Sequence, residues 1–172
     1  MNFFKPTIYK KNIYEINYKK LKKMGITCLV FDLDNTLGLY EHKKCPDESK
    51  KLIEKLQKDF LILIASNNTK KRIKPYLDDL GVGGVSMCMK PLTFGLARMK
   101  KKYNLKKSEM VIIGDQIVTD IVCGKRFRIK TILVDPLGEK DLKITGLNRK
   151  IEKFIIKIYS KQGKFERGKY YE

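Results

Sequence analysis

The chain has 172 residues, enough for one domain with a sizeable core. Its 38 Lys and Arg against 19 Asp and Glu give a net charge of +19. That excess favours an anionic partner (nucleic acid, an anionic membrane surface or a phosphorylated substrate), although drift toward Lys, Ile and Asn would account for it equally well. No stretch approaches the ~20 apolar residues of a membrane-spanning helix, and the start Met1-Asn2-Phe3-Phe4-Lys5-Pro6 lacks the pattern of a secretory leader. Aromatic RNA-binding motifs, zinc fingers and a C-terminal prenylation box are not evident. The four cysteines, Cys28, Cys45, Cys88 and Cys123, form no C-x-x-C pair and are expected as free thiols in a reducing cytoplasm. With His42 as the sole histidine, a zinc site is disfavoured.

Residues 1–24 read as a basic arm dotted with Ile8, Tyr9, Ile13, Tyr14, Ile16, Tyr18 and Leu21. The arm either packs on the domain or lays its aromatics on a membrane while its lysines meet lipid phosphates. The apolar run Ile26 to Phe31 predicts a buried strand. A helix starts at Pro46-Asp47-Glu48, and Leu61 to Ala65 predicts a second strand. Asn67-Asn68-Thr69 caps a helix that stops at Gly81, with Pro75 implying a kink or a late start. A third strand is expected from Val85 to Met89, a helix from about Thr93 to Tyr103, and a fourth strand from Met110 to Ile113. Gln116 to Phe127 reads as helix, Thr131 to Val134 as a fifth strand, and about Leu147 to Tyr159 as the last helix. The polar tail, residues 160–172, is expected to fray. The alternation predicts a single α/β domain over residues 1–172, a Rossmann-like three-layer fold with a parallel sheet and helices on both faces.

Polar residues recur where these strands end. Asp32 and Asp34 follow the first strand, Ser66-Asn67 the second, Lys90 the third, and Gly114-Asp115 the fourth, with Asp120 five residues on. A parallel sheet brings such ends to one edge, where open α/β sheets hold their ligands. Carboxylates gathered there repel one another unless a cation sits among them, and Mg²⁺ is the natural choice for oxygen donors. Lys90 and the Ser66 hydroxyl suit phosphate oxygens. Asp32 can attack phosphorus, and Asp34 can protonate the leaving group and then activate water. Taken singly, each element also has a plain reading as a turn, a helix cap or a solvated lysine.

The ordered set resembles the haloacid dehalogenase (HAD) superfamily of aspartate-nucleophile phosphatases. The resemblance implies Asp32 as nucleophile, Asp34 as general acid/base, and Ser66, Asn67 and Lys90 as the phosphate-binding group. It implies Mg²⁺ held by Asp32, the Asp34 backbone carbonyl and Asp115, with Asp120 supporting the metal's waters. Thr36 to Ser66 is 30 positions and Ser66 to Lys90 is 24, which leaves no room for an inserted cap. The chain is therefore expected to be capless, with an open site suited to large or surface-presented substrates. More narrowly, Asp32-Leu33-Asp34-Asn35-Thr36-Leu37, Ser66-Asn67-Asn68, Lys90-Pro91, Gly114-Asp115-Gln116 and Thr119-Asp120 resemble the YqeG-type HAD IIIA phosphatases. Thr145-x-x-Asn148-Arg149-x-x-Glu152 and Phe4-x-Pro6-x-x-Tyr9 extend that likeness over nearly the whole chain. That group is similar to mitochondrial phosphatidylglycerophosphate phosphatases, which implies an anionic lipid head group as substrate and a cytoplasmic enzyme peripheral to a membrane. A soluble phosphate ester, nucleotide or phosphoprotein is the competing substrate class. An RNA- or ribosome-associated binding module is the competing role. One departure is Cys123-Gly124-Lys125-Arg126 in place of Gly-Gly-Asn-Arg, which would put Lys125 near the site rim.

Overall fold

The computed structural model describes residues 3–138 and 143–172, the side chains of 143–149 excepted. Thr145, Asn148 and Arg149 of the late motif therefore lie outside the described residues. Six strands form one parallel sheet: β1 (Ile8–Lys10), β2 (Cys28–Phe31), β3 (Leu61–Ala65), β4 (Gly83–Val85), β5 (Met110–Gly114) and β6 (Lys130–Val134). Their order is β1-β6-β5-β2-β3-β4, so β2 and β5 are central and the chain changes direction beside them. Among the described residues six α-helices accompany them: α1 (Tyr18–Lys23), α2 (Asp47–Leu56), α3 (Lys70–Leu80), α4 (Phe94–Lys102), α5 (Val122–Phe127) and α6 (Lys143–Lys161).

Strand residues alternate between two cores. Leu29 and Phe31 of β2 join Ile53 and Leu56 of α2 and Ile73 and Tyr76 of α3 on one face. Cys28 and Val30 join Leu96 and Met99 of α4 and Cys123 and Phe127 of α5 on the other. Central parallel strands buried on both faces read as unbroken apolar runs, which is why β2, β3 and β5 were legible. Truncating a fully buried residue such as Ile64 to Ala would cost about 2–5 kcal/mol.

Several expectations need correction. The N-terminal arm contains a sixth strand: β1 pairs with β6 in parallel, and Ile8, Tyr9, Ile13, Ile16 and Leu21 are buried. The tail does not fray. Phe165 is buried, and Tyr171 exchanges backbone hydrogen bonds with Tyr9 at 2.9 Å in both directions. The third strand is Gly83–Val85, not Val85 to Met89, because Met87 and Met89 take left-handed backbone angles (φ 45° and 60°) that no strand accommodates. Helix α3 runs through Pro75 and ends at Gly81 in the left-handed conformation. The stretch after β5 is not one α-helix: a π-helix, Ile117–Ile121, precedes α5. Lys125 lies in the last turn of α5, where burial and the nearby Lys5 charge push its ammonium pKa down. Lys5 precedes β1, so Lys125 belongs to the amino edge of the sheet, away from the predicted site rim. The two intervals flanking Ser66 are filled by a loop with α2 and β3, and by α3 and β4, which makes the fold capless.

Candidate active site

The site begins with a tight turn after β2. Asn35 N–H donates to Gly38 O (2.7 Å), Leu37 N–H donates to Leu33 O (2.9 Å), and Asn35 takes φ 60°. Leu33 between the two aspartates is fully buried, so Asp32 and Asp34 both face the carboxyl edge of the sheet.

Asp32 meets the lysine reaching over from the loop after β4. Lys90 Nζ donates to Asp32 Oδ1 (2.5 Å), Asp120 Oδ1 (2.7 Å) and Ala65 O (2.7 Å). Asp120 arrives from the π-helix, where it also accepts from Gln116 N–H (3.2 Å) and Thr119 Oγ1 (3.3 Å). A Cβ at position 114 would collide with the Asp120 carboxyl, so glycine ends β5 there for a steric reason. Asp115 is fully buried and accepts from Thr36 Oγ1 (3.4 Å). Carboxylate oxygens of Asp32, Asp115 and Asp120 all lie within 4.8 Å of one another.

The electrostatics follow from this crowding. Burial raises the Asp32 pKa well above the usual carboxylate range; Lys90 opposes the rise, and the Asp120 and Asp115 charges add to it. Burial pulls the Lys90 pKa down, but Asp120 and Asp32 outweigh it, so the ammonium keeps its proton more firmly than a free lysine. Three carboxylates gathered this closely, two of them bonded to the Lys90 ammonium, make a set of hard oxygen donors that fits a divalent cation, with Asp32, Asp115 and the Asp34 carbonyl as the ligands the family resemblance implies and Asp120 beside them.

Asp34 has different company. Its Oδ1 accepts from Arg72 Nη2 (2.6 Å) and its Oδ2 from Asn68 Nδ2 (2.5 Å). Burial raises its pKa, and Arg72, Lys90 and Asn68 hold the rise back. Arg72 was not singled out from sequence; it is one basic residue in a helix that also holds Lys70, Lys71 and Lys74. It donates as well to His42 O (2.5 Å) and lies 5.4 and 5.1 Å from the Tyr40 and Tyr76 ring centroids. It thereby ties the loop after the turn to α3 and to Asp34.

Ser66 is buried at the end of β3, and its Oγ accepts from Asn68 N–H (3.1 Å). Asn67 departs from its expected role through its side chain. Its amide donates to Lys90 O (2.8 Å) and accepts from Lys90 N–H (2.7 Å), so it fixes the backbone of the lysine. All seven predicted residues thus reach one edge: Asp32, Lys90, Asp115 and Asp120 form the cluster, Asp34 and Ser66 stand beside it, and Asn67 supports it.

Comparison with known proteins agrees with this arrangement. A family model for haloacid dehalogenase-like hydrolases matches residues 29–90, and a HAD-hydrolase-like model matches residues 87–141. The probable phosphatase YqeG of Bacillus subtilis (strain 168) is 34% identical over 165 residues, 94% of each chain. Phosphatidylglycerophosphate phosphatase 1, chloroplastic/mitochondrial, of Arabidopsis thaliana is 25% identical over 94% of this chain, which spans 49% of that protein's length. Among solved structures, an uncharacterized protein from Listeria monocytogenes serotype 4b superposes with a TM-score of 0.55 at 20% identity, over 68% of this chain and 85% of that one. The cobalt-bound deoxy-D-mannose-octulosonate 8-phosphate phosphatase of Haemophilus influenzae gives 0.51 at 15% identity, over 81% and 92%; at such identities both describe the fold alone. With a relative aligned along nearly the whole chain and family models spanning the residues of this edge, the chain belongs to the haloacid dehalogenase-like hydrolases and is of the YqeG type.

Proposed function

We propose that this HAD-family phosphatase is a Mg²⁺-dependent phosphomonoesterase that works through an aspartyl-phosphate. Its substrate is the terminal phosphate of phosphatidylglycerophosphate, presented at the surface of an anionic membrane. The observation that carries the chemistry is the Asp32–Lys90–Asp120–Asp115 cluster at an uncapped sheet edge. The name of the Arabidopsis relative and the charge of +19 support the lipid substrate. Mg²⁺, held by Asp32, Asp115 and the Asp34 carbonyl, would neutralise phosphate charge as it moves.

The chain's own groups do the rest. An Asp32 carboxylate oxygen attacks phosphorus, and the bond from phosphorus to the glycerol oxygen breaks. Asp34, its pKa raised by burial, gives its proton to that oxygen. As a carboxylate it then takes a proton from water, which attacks the aspartyl-phosphate, releases inorganic phosphate and restores Asp32. Lys90 neutralises the phosphate oxygens, and the Ser66 hydroxyl stands ready to donate to one. Arg72 and Asn68 hold Asp34 in place between its two proton transfers.

The test is phosphate release from phosphatidylglycerophosphate in mixed micelles with Mg²⁺, beside a panel of soluble esters and nucleotides. Release by wild type, falling more than ~10³-fold in Asp32→Asn, is expected. Equal silence of wild type and variant would overturn the enzyme reading. Efficient hydrolysis of soluble esters with the lipid ignored would replace the substrate.

A further inference from the structure

The sequence offered the N-terminal arm as a membrane contact. Its Ile8, Tyr9, Ile13, Ile16 and Leu21 are buried in the core, which leaves Phe3, Tyr14 and Met24 as its exposed apolar residues among those described. Apolar side chains also stand exposed at the mouth of the site. Met87, Met89 and Leu92 follow β4 on the loop that carries Lys90, and Phe94 opens α4 just after it, with Met87 63%, Met89 54% and Phe94 61% exposed. Tyr40 comes from the loop that Arg72 ties to α3. Leu137 follows β6, and its N–H donates to Asn35 O (2.9 Å) beside Asp34. Single exposed apolar residues are ordinary; a set collected around an open catalytic edge is not.

The loop is also built to hold them out. Cys88 and Lys90 point inward and are buried, while Met87 and Met89 between and beside them point outward. Both methionines take left-handed backbone angles, a strained conformation for a non-glycine residue. Met87 N–H donates to Asn68 O (2.8 Å) and Leu92 N–H to Met89 O (2.7 Å), which fix the loop. The flanking charge is largely basic. Lys70 and Lys71 are exposed in the first turn of α3, and exposed Arg98 on α4 donates to Met87 O (3.5 Å). The Tyr40 loop adds Lys43 and Lys44 with Glu41.

We infer that this rim is the membrane-docking surface: Met87, Met89 and Phe94 enter the head-group region of an anionic bilayer while the surrounding cations meet lipid phosphates. Flexible, polarisable methionines suit a fluid partner, and apolar residues ringed by cations are the pattern of interfacial binding. Docking so oriented would bring the Asp32 edge to the plane of the head groups. The inference rests on the lipid reading above for its catalytic meaning and on the rim geometry for its location.

The natural chain contains no tryptophan, so Phe94→Trp gives one fluorophore at the rim. Its emission is expected to shift blue with phosphatidylglycerol-containing vesicles and to stay unchanged with pure phosphatidylcholine. Vesicle flotation of Met87→Asn/Met89→Asn should fall more than ~10-fold, since two apolar anchors are lost and asparagine tolerates the left-handed backbone. Hydrolysis of a soluble ester should stay within about twofold in both variants, which shows that they fold. Unchanged flotation of the double variant, an unshifted Trp, rim-dependent binding of single-stranded RNA with vesicles ignored, or a rim-dependent dimer by light scattering would each overturn the proposal. Rim-dependent flotation without lipid hydrolysis in micelles would overturn the substrate reading and leave the docking surface standing.

Discussion

Two polar networks sit at the carboxyl edge of the same sheet, and they are finished differently. Around Asp135, just after β6, the chain supplies its own donors. Asp135 Oδ1 accepts from Tyr9 OH (2.5 Å) and Arg167 Nη1 (2.7 Å), and its Oδ2 from Tyr170 OH (2.6 Å). Buried Glu152 accepts from Ile117 N–H (2.9 Å) and Arg167 Nη2 (3.2 Å), joining the tail to the π-helix. The Arg167 guanidinium, two phenols and a backbone amide satisfy these carboxylates. The hydrogen bond to Asp135 and burial push the Tyr170 phenol up to about 12, so it stays a donor at any ordinary pH. Around Asp32, by contrast, two carboxylates share one ammonium and a third, Asp115, brings its oxygen within 4.8 Å of theirs. The first network is a structural latch. The second gathers the oxygens of three carboxylates at one point, and that donor set is what a cation can use.

The largest effect is expected from Lys90→Met. It should cut turnover more than ~10³-fold and, in metal-free buffer, destabilise the fold by about 3–5 kcal/mol, because buried Asp120 loses its cation. Urea melts beside phosphate-release assays read both quantities. Next comes metal linkage. Saturating Mg²⁺, at about a hundred times its Kd, should stabilise the wild type by about 2.7 kcal/mol. Asp115→Asn should lose this response and Glu152→Gln keep it; a response lost in Glu152→Gln alone would reverse the assignment of the two networks. Arg167→Ala should cost about 1–3 kcal/mol, with kcat within about threefold below the melting midpoint.

The smallest effect is a slope with pH. The folded Asp32 pKa is raised, so between its unfolded value near ~3.9 and the higher folded value the native state binds more protons. Stability from this group therefore falls as pH rises through that window and is regained as pH falls. In chelator, Asp32→Asn should flatten that limb and melt slightly above wild type at neutral pH. An identical slope in the variant would show that Asp32 is not held in its raised state.

What the sequence made legible followed from burial. Strands β2, β3 and β5 are covered on both faces, so composition alone marks them, and the polar residues at their ends were found with them. The edges were harder. β1 is three residues long within a basic arm, and its partner after the tail is recognised through Phe165 and Tyr171, isolated apolar residues in a polar run. Arg72 was invisible for a related reason: in a chain with 38 basic residues, only geometry distinguishes the one that grips Asp34. Asn67 shows the limit for roles. Its residue type fits a phosphate ligand, and only its two hydrogen bonds to the Lys90 backbone assign its amide to support.

The antiparallel pairing of Tyr171 with Tyr9 has a consequence for solubility. β1 is an outer strand, and the free backbone groups of an outer strand are a template on which another chain can extend the sheet. Tyr171 occupies that template with two hydrogen bonds, and the ring of Tyr9 lies against Phe165, Tyr170 and Tyr171. The opposite border, β4, is only three residues long and begins with two glycines, which makes it a poor template. Removing the last residues would expose the stickier border, β1, so shortened forms of the protein should self-associate at concentrations where the 172-residue chain stays dispersed.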